Sequence, residues 1–250
     1  MNSTLRAEVE AWIADDPDPK TAAELQTLLD AGDEVTLQKY FNGFLQFGTA
    51  GLRGPIGPGP SCMNRAVVGR AAAGIASYMQ KRGMTKVVIG RDARYGSEDY
   101  TFETAEIMSG AGMDVYILPR PLPTPVLAFA TSYLACDIGI MVTASHNPPQ
   151  DNGYKVYVGP EADGVKYASS QIINPTDGFI AADIDAVTSL KSRAFFKARS
   201  MAPGSSGLGK ATVGKSGSGV HCSSTVIRDE KPALLKTSCA VSVPTPCIAV

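Results

Sequence analysis

The chain has 250 residues, 44% of them hydrophobic, and a net charge of −1, which suits one or two soluble domains and excludes a disordered polyelectrolyte. No apolar run approaches the ~18 residues of a membrane helix, and the acidic start MNSTLRAEVEAW lacks the pattern of a cleaved signal peptide. The expectation is a cytoplasmic protein with no membrane partner. Five cysteines at irregular spacing make neither a CxxC pair nor a disulfide framework, in keeping with a reducing compartment.

The charge is unevenly spread. Residues 1–190 hold 14 Lys and Arg against 22 Asp and Glu, a net of −8, whereas residues 191–250 hold 9 against 2, a net of +7. In that second stretch the basic residues are scattered among Ser, Gly and Thr, without aromatic interleaving or a helical stripe, so a solvated tail is expected rather than a nucleic-acid binder.

Helices open the chain. Leu5, Val9, Trp12 and Ile13 stand at helical spacing before Asp16-Pro17-Asp18-Pro19 breaks the pattern. Asp18 is placed to cap a second helix with Pro19 in its first turn, and Gly32-Asp33 ends that helix and starts a third. This lead, residues 1–46, is expected to pack over the edge of the next domain. Residues 47–60 are too rich in Gly and Pro for a helix and read as a loop.

From Asn64 the pattern alternates. A helix is expected from Asn64 to Gly83, a buried strand at 86–90, a helix from Ser97 to Gly112, a strand at 114–118, a helix from Thr124 to Leu134 and a strand at 137–142. This order predicts an α/β fold: a mainly parallel sheet flanked by helices, with its ligand site beyond the carboxyl ends of the strands. Residues 154–158 alternate like an edge or antiparallel strand after a turn at Asp151-Asn152-Gly153. The α/β domain is assigned to 47–190. Past Leu190 composition, charge and periodicity all change, and 191–250 is expected to be an unstructured tail foreign to the domain's design, as after a shifted reading frame or a fusion.

The strand at 137–142 runs into Thr143-Ala144-Ser145-His146-Asn147-Pro148. A serine at a strand end, with loop amides around it and Pro148 fixing the turn, can present its hydroxyl at a cleft; the same text also reads as an ordinary polar loop. A serine hydrolase is disfavoured, because it needs a separate base and a GxSxG turn. The two histidines are His146, beside the serine, and His221 in the tail. Arg53 lies in a glycine-rich loop that permits close approach of an anion, and Lys155 follows the serine turn, where its amine could exchange a proton with a sugar hydroxyl. Taken singly, each also reads as a surface charge. Residues 209–216 match the GxxxxGK[ST] phosphate-loop pattern but lack the preceding strand and following helix that the loop requires.

Together FGTAGLRG (47–54), VVIGRDAR (87–94), PTPV (123–126) and VTASHNPPQDNGYKVY (142–157), with the lead around WIADDPDP, resemble the α-D-phosphohexomutases, the phosphoglucomutase/phosphomannomutase family. The resemblance covers roughly residues 1 to 190, and the leading helices look most like the branch of phosphoglucomutases that includes phosphomannomutase- and phosphopentomutase-like members. It implies the first domain of an isomerase that works by intramolecular phosphoryl transfer. Ser145 carries the phosphate as phosphoserine and passes it to and from a hexose phosphate through a bound hexose bisphosphate. It further implies Lys155 as general acid/base, Arg53 and His146 as stabilisers of the phosphoryl group, and Asn147 and Arg94 as loop and phosphate-binding residues. Arg91, Asp92 and Arg94 match a family loop near the site, with a structural salt bridge as the other reading. The family's Mg²⁺ would touch Ser145 through its phosphate, but the DxDxD loop of the second domain is absent; Asp183-Ile184-Asp185 comes nearest. The sugar-reading GExSG and phosphate-binding RxSGTxP loops are also missing from the text. The expectation is therefore a truncated chain without full mutase activity, or an inert one with residual sugar-phosphate binding.

Overall fold

The computed structural model describes residues 2–188 and, as backbone, the strand pair 213–216 with 219–222. The lead forms three capped helices. Helix α1 (Ser3–Asp15) begins at Asn2, whose side chain accepts from the Thr4 amide. Helix α2 (Pro19–Ala31) begins at Asp18 and stops at Gly32, whose φ of 67° is the left-handed value that glycine takes without strain. Asp33 then caps α3 (Glu34–Tyr40). Leu5, Val9, Leu25, Leu29 and Leu37 form a small core of their own, and Trp12 bridges it to the main one.

The main unit runs β1 (Leu52–Pro55), α4 (Arg65–Lys81), β2 (Lys86–Arg91), α5 (Ser97–Gly110), β3 (Asp114–Ile117), α6 (Thr124–Tyr133), β4 (Ile138–Val142) and β5 (Asp151–Val158). A short hairpin, β6 (Glu161–Ala162) with β7 (Val165–Lys166), and α7 (Thr176–Asp185) follow. The sheet order is β1-β5-β4-β2-β3. Strand β2 is parallel to both β3 and β4, while β5 is antiparallel to both β4 and β1. The parallel part arises where helical crossovers separate the strands, because a strand followed by a helix returns in its original direction.

Both faces are covered. Helices α4 and α5 pack on one side with Leu52, Val142, Tyr154 and Val156, and α6 packs on the other with Val88, Met141 and Tyr157. Strand β4 is buried at all five positions, as expected of an inner strand between two helical layers. Helix α7 lies on α4 rather than on the sheet, in close contact at Gly74, where a Cβ would come within 2.5 Å of Ile184.

Three sequence expectations need correction. Residues 52–55 are not loop but strand, since β5 supplies the ladder partners that a glycine-rich text does not advertise. Strand β5 is internal, and it starts at Asp151, so its turn lies before that residue and not at 151–153. Helix α7 was not foreseen. In the segment 191–250, Val213–Ser216 (β8) pairs antiparallel with Gly219–Cys222 (β9); the rest of the expected tail lies outside the described residues. Gly214, Lys215 and Ser216 of the phosphate-loop pattern thus sit in a hairpin strand rather than at a helix start.

The cap of α4 is the most heavily used in the fold. The buried Asn64 side chain accepts from the Val67 amide at 2.9 Å and donates to the Gly57 and Gly59 carbonyls. Asn64→Ala is expected to cost about 2 kcal/mol, the top of the range for a lost cap, because two carbonyls lose their donor as well. A urea denaturation midpoint measures it.

Candidate active site

The loops after β2 and β4, and the turn into β5, meet at the carboxyl edge of the parallel strands. Backbone bonds stitch them together: the Asp92 amide donates to the Val142 carbonyl, and the Thr143 amide to that of Gly153. Strand β1 brings in Arg53. The tight turn Gly48–Gly51 precedes it, with the Gly51 amide on the Gly48 carbonyl at 2.7 Å. Thr49 donates to Asp177 at the start of α7, and Gln171 donates to the Thr49 carbonyl. Register then sets Arg53 beside Gly153.

Side-chain alternation decides which groups share a face. Leu52, Val142 and Tyr154 point into the α4/α5 core, so Arg53 and Lys155 point to the other face, with Met141 opposite Lys155. The Lys155 ammonium is half-buried, and its pKa is held below the usual lysine value first by that burial and then by the charge of Arg53. Neither cation forms an ion pair among the described residues. Two adjacent, partly desolvated cations without a carboxylate make a place where an anion is favoured.

Ser145 is exposed at this edge. It opens a turn in which the Asn147 amide donates to the Ala144 carbonyl, and its φ is 60°. The Ser145 amide donates to the Thr143 hydroxyl at 2.9 Å, and that hydroxyl donates to Asp92 at 2.6 Å. Ser145 Oγ stands 3.4 Å from His146 Nδ1. Asn147 links the loop to the cations, accepting from Arg53 at 3.3 Å and donating to Asp151 at 2.9 Å. The structure therefore gathers Ser145, His146, Asn147 and Arg53 at one edge, with Lys155 beside Arg53.

Arg94 takes a different place from the one expected of a phosphate ligand. Its terminal nitrogens donate to the carbonyls of Ser145, Asn147, Pro148 and Asp151 at 2.7–3.1 Å, and its Nε faces Asp92 at 3.2 Å. Its four terminal N–H donors are thereby all engaged with loop carbonyls, and its Nε is turned to the Asp92 carboxylate. Arg91 pairs with Glu98 instead. Sequence reasoning gave Thr143 no part in the site. The signal was present: a Thr two residues before a loop amide is the pattern by which a hydroxyl caps a turn.

The carboxylates do not assemble a cation site. Asp92 is committed to Thr143, Ser97 and Arg94, and Asp151 accepts from Asn147. Asp183 and Asp185 lie on α7, paired with Lys81 and Arg70. Among the described residues no three of His, Cys, Asp and Glu come together as metal ligands. Hexacoordinate Mg²⁺ does not fit the donors of the described residues alone. A separate cleft of about 570 Å³ beside α1 and α4, lined by Trp12, Phe44 and Arg70, contains none of the candidate residues.

The model of the family described as "Phosphoglucomutase/phosphomannomutase, alpha/beta/alpha domain I" matches residues 45–174. The chain belongs to the phosphoglucomutase/phosphomannomutase family. A Haemophilus influenzae relative named "Probable phosphomannomutase" is 52% identical over 128 residues, 50% of this chain and 25% of that protein. The phosphoribomutase of Saccharomyces cerevisiae is 37% identical over 190 residues, 74% of this chain and 29% of its own length. Among solved structures, a phosphoglucomutase/phosphomannomutase family protein from Burkholderia thailandensis matches with a TM-score of 0.46 at 26% identity, covering 59% of this chain and 30% of its own. The chain thus spans about a fifth to a third of the length of the relatives it matches. Its α/β/α architecture is that of the family's first domain. No helix among the described residues is long and apolar enough to cross a membrane.

Proposed function

We propose that this chain is the phosphate-carrying domain of a cytoplasmic phosphosugar mutase, with Ser145 as the residue that becomes phosphorylated. One observation carries the reading: an exposed serine hydroxyl stands at the carboxyl edge of the sheet, in a loop tied through Asn147 to Arg53, which neighbours Lys155, and neither cation has a carboxylate partner among the described residues. A dianionic phosphoryl group on Ser145 would supply that partner. Arg53 steadies the phosphoryl oxygens, and His146, 3.4 Å from Ser145 Oγ, adds a donor. Catalysis of this kind rests on alignment and charge neutralisation rather than on covalent help.

In the forward half, a hydroxyl of a hexose monophosphate attacks the phosphorus, and the bond from Ser145 Oγ to phosphorus breaks. Lys155 takes the hydroxyl proton and passes it to the departing Ser145 Oγ, a role suited to an amine whose pKa is depressed. The product is a hexose bisphosphate. After it turns round, Ser145 Oγ attacks the other phosphate and the proton returns to the new sugar hydroxyl. The family's Mg²⁺ would neutralise phosphate charge, but the carboxylates among the described residues do not build its site, and no step here runs through it. The relative named phosphoribomutase matches over 74% of this chain, which favours pentose phosphates as the second substrate reading.

The test is direct. The 250-residue chain, incubated with glucose 1,6-bisphosphate, is expected to gain the mass of one phosphate, and Ser145→Ala to gain none. An unchanged mass for the parent chain would establish the inert alternative.

A further inference from the structure

We infer that Thr143, Asp92 and Arg94 form a clamp whose task is to hold Ser145 in its left-handed turn and so aim its hydroxyl. The inference rests on the phosphate-carrier reading for its chemistry, but its geometry stands apart from it. At φ 60° a serine sits in a region that non-glycine residues avoid at a cost of roughly 1–2 kcal/mol. Such a conformation persists only where neighbours over-determine it. Here the residue is gripped on both sides. Its N–H is taken by the Thr143 hydroxyl at 2.9 Å, and its C=O is taken by Arg94 Nη2 at 2.9 Å.

Both grips trace back to one carboxylate. Asp92 Oδ2 accepts from the Thr143 hydroxyl at 2.6 Å and faces Arg94 Nε at 3.2 Å. Its Oδ1 accepts from the Arg94 amide at 3.0 Å and from Ser97 at 2.9 Å. The direction of each bond follows from this. Because the Thr143 proton goes to Asp92 Oδ2, the hydroxyl oxygen is left to accept from the Ser145 amide. Because the guanidinium is pinned at Nε, its two terminal nitrogens splay across four loop carbonyls. Thr143 is anchored by the end of β4 and is almost wholly buried, and Ala144 beside it is fully buried. The clamp is therefore fixed to the sheet, and Ser145 and His146 are exposed beyond it. Thr143, Asp92 and Arg94 are positioning residues that act through Ser145 rather than on the phosphate.

Thr143→Val removes the hydroxyl and keeps the shape, Thr143→Ser restores the hydroxyl, and Arg94→Lys keeps the charge but loses the fork. In the 250-residue chain, the Ser145 amide is expected to be protected from hydrogen exchange in the parent and in Thr143→Ser, and to exchange at least about tenfold faster in Thr143→Val. Phosphate uptake from saturating glucose 1,6-bisphosphate is expected to fall roughly 10²-fold in Thr143→Val and in Arg94→Lys, the scale of loss for a misplaced reacting group. The half-saturating concentration should stay near that of the parent, and Thr143→Ser should recover most of the rate. Equal amide exchange in Val and Ser variants that both remain folded by thermal melting would overturn the clamp. So would a parent-like uptake rate in Arg94→Lys. If the parent takes up no phosphate at all, the carrier reading fails, while amide exchange still decides whether Ser145 is gripped.

Discussion

Replacing Lys155 by methionine is expected to slow phosphate transfer between Ser145 and a sugar hydroxyl by about 10²–10⁴-fold, the usual yield of a positioned general acid/base. The side chain enters the site from β5, on the face it shares with Arg53, and nothing anionic among the described residues holds its charge. Burial and Arg53 both depress its pKa, so a larger neutral fraction is present near neutrality than for an ordinary lysine. The sign is then defined. Transfer that needs the free amine should rise with pH and level off below the normal lysine pKa. Binding a phosphate dianion should raise that pKa again and draw a proton from solution. Lys155→Arg separates the two effects, because an arginine stays protonated: sugar-phosphate affinity should survive and the rate should not. A pH profile of single-turnover transfer, with calorimetry in buffers of different ionisation enthalpy, measures both. Full speed from the methionine variant would remove Lys155 from the chemistry. The same depression makes ionised Lys155 a small liability to folding below its native pKa. That liability fades as pH rises through the native pKa.

Gly51→Ala should be the most destabilising single change at the site's margin, at about 4 kcal/mol or more. A Cβ at this position would stand 1.9 Å from the Tyr154 carbonyl oxygen, and the backbone φ is 74°. The obstacle is backbone rather than a pliable side chain, so relief requires β1 to part from β5. Leu52 pairs with Tyr154 and Arg53 with Gly153, and separation would carry Arg53 away from Asn147. A control isolates the conformational part. Gly83 has φ 69°, and a Cβ there would meet nothing within 4 Å, so Gly83→Ala should cost only about 1–2 kcal/mol. Urea titration of both variants gives the comparison, and similar losses would mean that the strands give way easily. Phosphate uptake by whatever Gly51→Ala protein remains folded should also fall, through Arg53.

Much of the scaffold could be read from periodicity. Helices α2, α3, α4 and α6 begin within a residue or two of the expected starts, because Asp18, Asp33, Asn64 and Pro125 stand where helix starts need them, and α5 begins at the expected Ser97 without a side-chain cap. The continuous apolar runs of β2 and β4 identify inner strands for the same reason that they are buried on both sides. Strand β1 was missed because Leu52-Arg53-Gly54-Pro55 carries no alternation of its own; its strand character comes from a partner about a hundred residues away. Helix α7 was missed because its buried positions answer to α4, close against Gly74, and its aspartates look like surface charge until Lys81 and Arg70 are found opposite them.

From the order of its residues alone, the chain determines an α/β layer structure, capped leading helices and a Ser145 loop at the end of an inner strand, since these depend on neighbours a few positions apart. Only the folded chain decides that Arg53 and Lys155 share a face, that Arg94 is spent on loop carbonyls, and that Asp92 reaches Thr143. Those outcomes depend on strand register and on contacts between segments some fifty to a hundred residues apart, which no local pattern encodes.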